Sequence, residues 1–195
     1  MRTRRVQCCV LVLWVIAAIW ADGSGAARAS ADNAATSTSP TFGGPTARLR
    51  NEALPVATRV VVYKGERRLE LLRGNAALRE YRIALGGDPV GHKLFEGDSR
   101  TPEGLYRLTA RNPRSEFFLS MHVSYPNGAD SGRARKLGRR PGGMIMVHGQ
   151  PNIPSRSPRY YETEDWTDGC IALSNADMME FWLLVPDNTP IDIRP

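Results

Sequence analysis

The chain has 195 residues, 42% of them hydrophobic, with 26 Lys and Arg against 20 Asp and Glu. That length and apolar content suffice for one domain with a sizeable core and exclude a wholly disordered chain. Residues 1–29 hold Arg2, Arg4, Arg5 and Arg28 against Asp22, which leaves 22 basic and 19 acidic residues beyond them, a balance that argues against a nucleic-acid partner.

In chain order, an arginine-rich start precedes an apolar run over 6–21 interrupted only by Gln7, and small residues follow over 23–30. This is the pattern of a secretory signal, residues 1–29, with Ala27-Arg28-Ala29 as the expected cleavage site. The other reading is an uncleaved N-terminal anchor, for which the run is short, since a full span needs about 20 residues. Either way the protein is expected outside the cytoplasm, in the periplasm or cell envelope, and membrane-tethered if the segment stays. Residues 30–56 are rich in Ala, Ser, Thr, Gly and Pro and read as a flexible linker. The domain is expected over 57–195.

Strands are predicted over 59–64, 67–73 and 78–85, separated by Gly65-Glu66 and Gly74-Asn75 turns. Further strands follow over 105–109, 117–123 and 144–147, the last apolar throughout and therefore central. A helix starts at a Ser174 cap, presents Met178, Phe181, Trp182 and Val185 on one face, and stops at Pro186. A closing strand follows over 189–193. The fold class is mainly β.

Three cysteines are present, and Cys8 and Cys9 fall in the signal. Cys170 is left alone, so no internal disulfide can form, and an unpaired thiol in an exported protein reads as a candidate nucleophile. It lies on the loop ahead of the predicted helix, a position that favours a thiolate and a lowered pKa. A nucleophile of this kind needs a base. His148 ends the apolar strand and is followed by Gly149, which makes it the best candidate; His92 sits in a Gly-rich turn and His122 in a strand. A histidine at a strand end can equally be a hydrogen-bonded structural residue. The amides of Gly169 and Cys170 are candidate oxyanion donors. Metal ligation is disfavoured, because one cysteine and scattered His and carboxylates lack zinc-site spacing.

The segments Gly86-Gly87-Asp88-Pro89-Val90-Gly91-His92-Lys93, Gly97-Asp98-Ser99-Arg100-Thr101-Pro102-Glu103-Gly104, Gly143-Met144-Ile145-Met146-Val147-His148-Gly149 and Thr167-Asp168-Gly169-Cys170-Ile171 together resemble the L,D-transpeptidase (YkuD-type) catalytic domain. The resemblance covers about 58–194. It implies a YkuD-like β-sandwich or mixed-sheet domain with one or two helices. It further implies Cys170 as nucleophile, His148 as proton acceptor and donor, the Gly149 carbonyl as the group orienting His148, and no cofactor. The implied substrate is the stem peptide of peptidoglycan: the thiolate attacks the diamino-acid carbonyl, releases D-Ala and passes the acyl group to an amine. Thr167, Asp168 and Asn175, with Tyr161 and Trp166 of the intervening loop, are expected to bind substrate, although the aromatics can instead anchor that loop. The protein is expected to act as a monomer, with a wall-anchored protein as a further potential partner.

The sequence departs from the pattern at Asp168, where many members have His, and at Ala172, where many have Arg. Segment 124–130 resembles a branch of the family containing a hydrolase that cuts wall-linked lipoprotein. Two alternatives therefore stand: an L,D-carboxypeptidase or amidase on the same thiol, and a non-catalytic wall-binding module. The run Arg133, Arg135, Lys136, Arg139 and Arg140 is either a solvated loop or a surface for anionic groups of the wall.

Overall fold

The computed structural model describes residues 54–195, so the expected signal and nearly all of the linker lie outside the described residues. Eight strands form one sheet: β1 Arg59–Tyr63, β2 Arg68–Arg73, β3 Ala76–Arg82, β4 Gly104–Ser115, β5 Phe118–Val123, β6 Met146–His148, β7 Ile171–Ala172 and β8 Thr189–Arg194. Their order is β3-β2-β1-β8-β4-β5-β6-β7. The sheet is mixed: β1 runs parallel to β8 and β6 parallel to β7, while the other pairs are antiparallel. The chain beyond β3 bridges Ala84 to Ala172 and Gly86 to Thr167, so the segment leaving β3 reaches the β7 end and the sheet curls on itself. This covers the β7 edge, which would otherwise offer unpaired backbone groups.

A central strand explains the first apolar run, whereas the run expected as a central strand over 144–147 is only partly one. Strand β6 starts at Met146 and lies next to last in the order, and Met144 is outside it and exposed. Val60, Val61 and Val62 are all buried because β1 lies between β2 and β8, and Val147 and Ile171 are fully covered in register across β6 and β7. Helix α3 (Asn175–Leu184) has the expected Ser174 cap, whose Oγ accepts the Asp177 N–H at 3.1 Å. It buries Met178, Phe181 and Leu184, each contributing about 1.5–3 kcal/mol by burial. It ends one residue before Val185, while Trp182 is only partly covered.

Two further helices were not expected from periodicity. α1 (Gly128–Lys136) has no apolar face and buries only Asp130 and Ala134. It is set by its start: Asn127 Oδ1 accepts the amides of Ala129 and Asp130, and Asp130 Oδ2 accepts the Asn127 amide at 2.9 Å, a reciprocal capping box. α2 (Pro158–Thr163) is a short turn capped by Ser157 that buries Tyr161 alone.

The loop over 86–103 is pinned by two buried lysines. Lys64 Nζ donates to the carbonyls of Gly91 (2.6 Å) and Thr101 (2.9 Å) and to Glu103 Oε1 (2.8 Å), satisfying all three of its donors. Lys93 Nζ donates to Asp98 Oδ1 at 2.7 Å, both side chains being buried. Burial alone would raise the Asp98 carboxyl, but Lys93 and the amides of Leu94, Phe95 and Arg100 outweigh it and hold the group below its ordinary value. A depressed folded pKa means the stabilisation is present above about pH 4 and lost as pH falls through the lowered value. Asp98→Asn should therefore cost about 3 kcal/mol at neutral pH by stranding the Lys93 charge, with a smaller deficit in acid. Thermal unfolding of both proteins across pH checks this.

Candidate active site

The β5-β6-β7 end of the sheet brings the candidate pair together. His148 is the last residue of β6 and Cys170 immediately precedes β7; these strands run parallel, with Val147 opposite Ile171 and His148 opposite Ala172. Both side chains line one cavity of about 400 Å³, shared with Phe117, Met144, Trp166 and Asp168 among others.

His148 is buried, 3% exposed. Its Nδ1 lies 2.7 Å from the Gly149 carbonyl oxygen. A carbonyl only accepts, so Nδ1 carries the proton and Nε2 is the basic nitrogen. The ring lies against both Phe117 (centroids 4.7 Å) and Trp166 (5.6 Å), which also meet each other at 5.9 Å. Burial lowers the His148 pKa, and the Gly149 carbonyl opposes this only in part. His92 and His122 stand elsewhere: His92 Nδ1 accepts the Glu103 amide at 2.9 Å, and His122 Nδ1 lies 3.2 Å from Thr109 Oγ1.

Cys170 is partly buried, and its thiol donates to the Met144 carbonyl at 3.6 Å. Burial pushes the thiol pKa up, and the Asp168 carboxylate adds to that; the Met146 amide and the Lys93 charge oppose it. This corrects the expected lowering. Strand β7 separates Cys170 from the Ser174 cap, and a helix dipole acts only within its first turn, so desolvation dominates. At neutral pH the resting pair is a neutral thiol beside a neutral imidazole.

The Cys170 loop is shaped by Thr167 and Gly169. Thr167 Oγ1 donates to the Cys170 carbonyl at 2.8 Å and accepts the Gly169 N–H at 3.1 Å. That commits the Gly169 amide, one of the two expected oxyanion donors, and leaves the Cys170 amide as candidate. The Met146 amide, which favours the thiolate, is a second group of the right kind that the sequence reading missed. Gly169 has φ +123°, and a Cβ there would meet the Arg100 carbonyl oxygen at 2.5 Å. Gly169→Ala should shift the Cys170 loop, reducing any Cys170-dependent turnover by about 100-fold, since even a ~1 Å displacement of a reacting group has that effect. Turnover compared with the unfolding temperature checks this.

The remaining expected site residues divide. Trp166 and Asp168 line the cavity, as does Thr167, although its hydroxyl is spent on the loop. Tyr161 and Asn175 are not among the residues lining it. The buried Tyr161 hydroxyl accepts the amides of Ser155 (3.0 Å) and Arg156 (3.2 Å), and its carbonyl accepts Trp166 Nε1 at 3.1 Å, so it anchors the loop that carries Trp166. Asn175 Oδ1 accepts the Gln150 amide at 2.8 Å and closes the turn after His148. A Cβ on Gly149 would lie 2.6 Å from that oxygen, so a glycine fits there where larger residues clash. Phe117 and Met144 were missed as lining residues, because neither carries chemistry that a motif would single out. Ala172 sits on a separate cavity of about 260 Å³ with Arg82, Glu162 and Asp177.

No curated protein matches the chain. Among solved structures it is similar to the helical cell shape determining protein Pgp2 from Campylobacter jejuni, with 27% identity, 69% of this chain and 46% of that one covered, and a TM-score of 0.54. A point variant of that protein matches at 26% identity, 73% and 48% coverage and a TM-score of 0.56. Bdellovibrio bacteriovorus Bd1075 shares the fold at 24% identity, 74% and 50% coverage and a TM-score of 0.50. The chain thus spans about half the length of these proteins. The model of the YkuD L,D-transpeptidase catalytic domain matches residues 57–193. With a thiol and a carbonyl-oriented imidazole facing one cavity on a curled mixed sheet, the chain belongs to the YkuD family of L,D-transpeptidase catalytic domains.

Proposed function

We propose that the protein is an exported peptidoglycan L,D-transpeptidase. The observation that carries the reading is the shared cavity of Cys170 and His148, with His148 Nδ1 fixed on the Gly149 carbonyl. His148 Nε2 takes the Cys170 proton as the sulfur attacks the carbonyl of the third stem residue. The oxyanion that forms is met by the Cys170 amide, with the Met146 amide beside the sulfur. Collapse breaks the peptide bond, forms a thioester and expels terminal D-Ala, whose amine takes the proton from His148. An acceptor amine then loses its proton to His148, attacks the thioester and releases Cys170, which regains that proton. A burial-lowered imidazole is suited to this, because it is neutral and ready to accept at pH 7.

The similarity to a cell shape determining protein supports a role in wall remodelling that sets cell form. The stem peptide, the export and the monomeric state belong to this proposal. Mass spectrometry of the protein incubated with a disaccharide-tetrapeptide, with and without D-Met, tests it. A cross-linked dimer or a D-Met-exchanged stem is expected. A tripeptide alone makes water the acceptor and the enzyme a carboxypeptidase. An unchanged stem refutes this substrate.

A further inference from the structure

Residues 131–150 contain Arg133, Arg135, Lys136, Arg139 and Arg140 and no Asp or Glu, whereas the rest of 30–195 holds 17 basic and 19 acidic residues. The positive excess beyond the expected signal is therefore concentrated on one segment. Part of it has a structural cause: Arg133, Arg135 and Lys136 occupy the last turn of α1, where cations complement the helix dipole. Arg133 is also spent on Asp130, and Arg140 lies 3.6 Å from Glu96. Neither cause reaches Arg139, and the dipole leaves the charges of Arg135 and Lys136 without a paired carboxylate among the described residues. Arg139 and Arg140 follow the Leu137 C-cap, and Arg135, Lys136 and Arg139 form no ion pair among the described residues. Arg139 is nonetheless held in place, its guanidinium 5.1 Å from the centre of the Phe95 ring. From there the chain runs through Pro141 and Gly142 to Gly143 and Met144, which line the cavity containing Cys170. The cations thus form an exposed strip ending at the candidate site.

Resting on the proposed function, we infer that this strip is a docking surface for polymeric peptidoglycan, gripping the carboxylates of successive stem peptides along a glycan strand. Each stem carries a terminal carboxylate, and a diamino acid such as diaminopimelate adds another, so the polymer is a repeating polyanion while a single muropeptide carries few charges. A row of cations favours the polymer through several weak contacts made at once and through the summed field near the site.

The test is co-sedimentation with purified sacculi, using the full chain carrying Cys170→Ala so that binding is read without turnover. In that background, Arg135→Gln, Lys136→Gln and Arg139→Gln together are compared with Arg59→Gln, Arg73→Gln and Arg114→Gln, which remove the same charge from exposed positions away from the strip. Unfolding temperatures of both triples confirm that each is folded. The strip triple should weaken binding about tenfold at low salt. The gap should close near 1 M salt, where the screening length falls to about 3 Å, and the comparison triple should bind like its parent. Equal weakening by both triples overturns the proposal, since net charge would then suffice. So does loss of binding once phosphate polymers are stripped from the sacculi, or no binding by the parent. A wild-type protein that binds sacculi through the strip but never alters a stem refutes the transpeptidase reading and leaves the docking surface standing.

Discussion

Cys170→Ala should abolish release of D-Ala from a tetrapeptide stem, lowering the rate by about 10⁴-fold or more, as removal of a nucleophile does elsewhere. The fold should survive, because the thiol makes only a long contact to the Met144 carbonyl at 3.6 Å and alanine keeps the Cβ. Product analysis by liquid chromatography, with unfolding temperatures alongside, separates the two effects. Cys170 is the sole free cysteine among the described residues, so no neighbouring thiol can substitute. Turnover by the variant within tenfold of the parent would place the chemistry elsewhere.

The second large effect concerns His148. His148→Ala should slow acyl transfer by about 10²–10⁴-fold, the usual contribution of a positioned general base. The pH dependence carries more information. Burial lowers the imidazole and raises the thiol, so the neutral pair is the resting state and proton transfer accompanies attack. Turnover requires neutral His148, and its acidic limb should therefore lie below the ordinary histidine value of about 6.5. Alkylation of the resting thiol by iodoacetamide, which needs thiolate, should be slow at pH 7 and rise through a midpoint above the ordinary value of about 8.5. A midpoint well below 7 would instead mean a preformed thiolate and imidazolium.

Strands β1, β2, β3, β5 and β8 were legible because apolar residues and Gly/Asn turns alternate at short spacing, and α3 because Ser174, Asp177 and the Met178/Phe181 face agree. Helix α1 was hidden by its composition: a capping box and one buried carboxylate hold it, not an apolar stripe. The two-residue strand β7 was equally hidden, since it exists only through pairing with β6 and the Ala84 bridge. The candidate pair could be read because a lone thiol and a strand-end histidine beside glycines are rare and local. The supporting roles could not. That Thr167 occupies the Gly169 amide, that Tyr161 and Asn175 brace backbone and do not line the cavity, and that Met146 turns its amide toward the thiol all depend on contacts across sequence gaps. The direction of the thiol's shift depends on burial, which helix proximity in the sequence does not reveal.

In the proposed mechanism Cys170 carries an acyl group handed over through His148. Intact-protein mass spectrometry of the chain mixed with a disaccharide-tetrapeptide and quenched in acid tests it most directly. A covalent adduct equal in mass to the stem less D-Ala is expected, mapped to Cys170 by peptide analysis, absent from Cys170→Ala and slow to form in His148→Ala. Stem turnover with no adduct on Cys170 at any quench time, or an adduct on another residue, would contradict it.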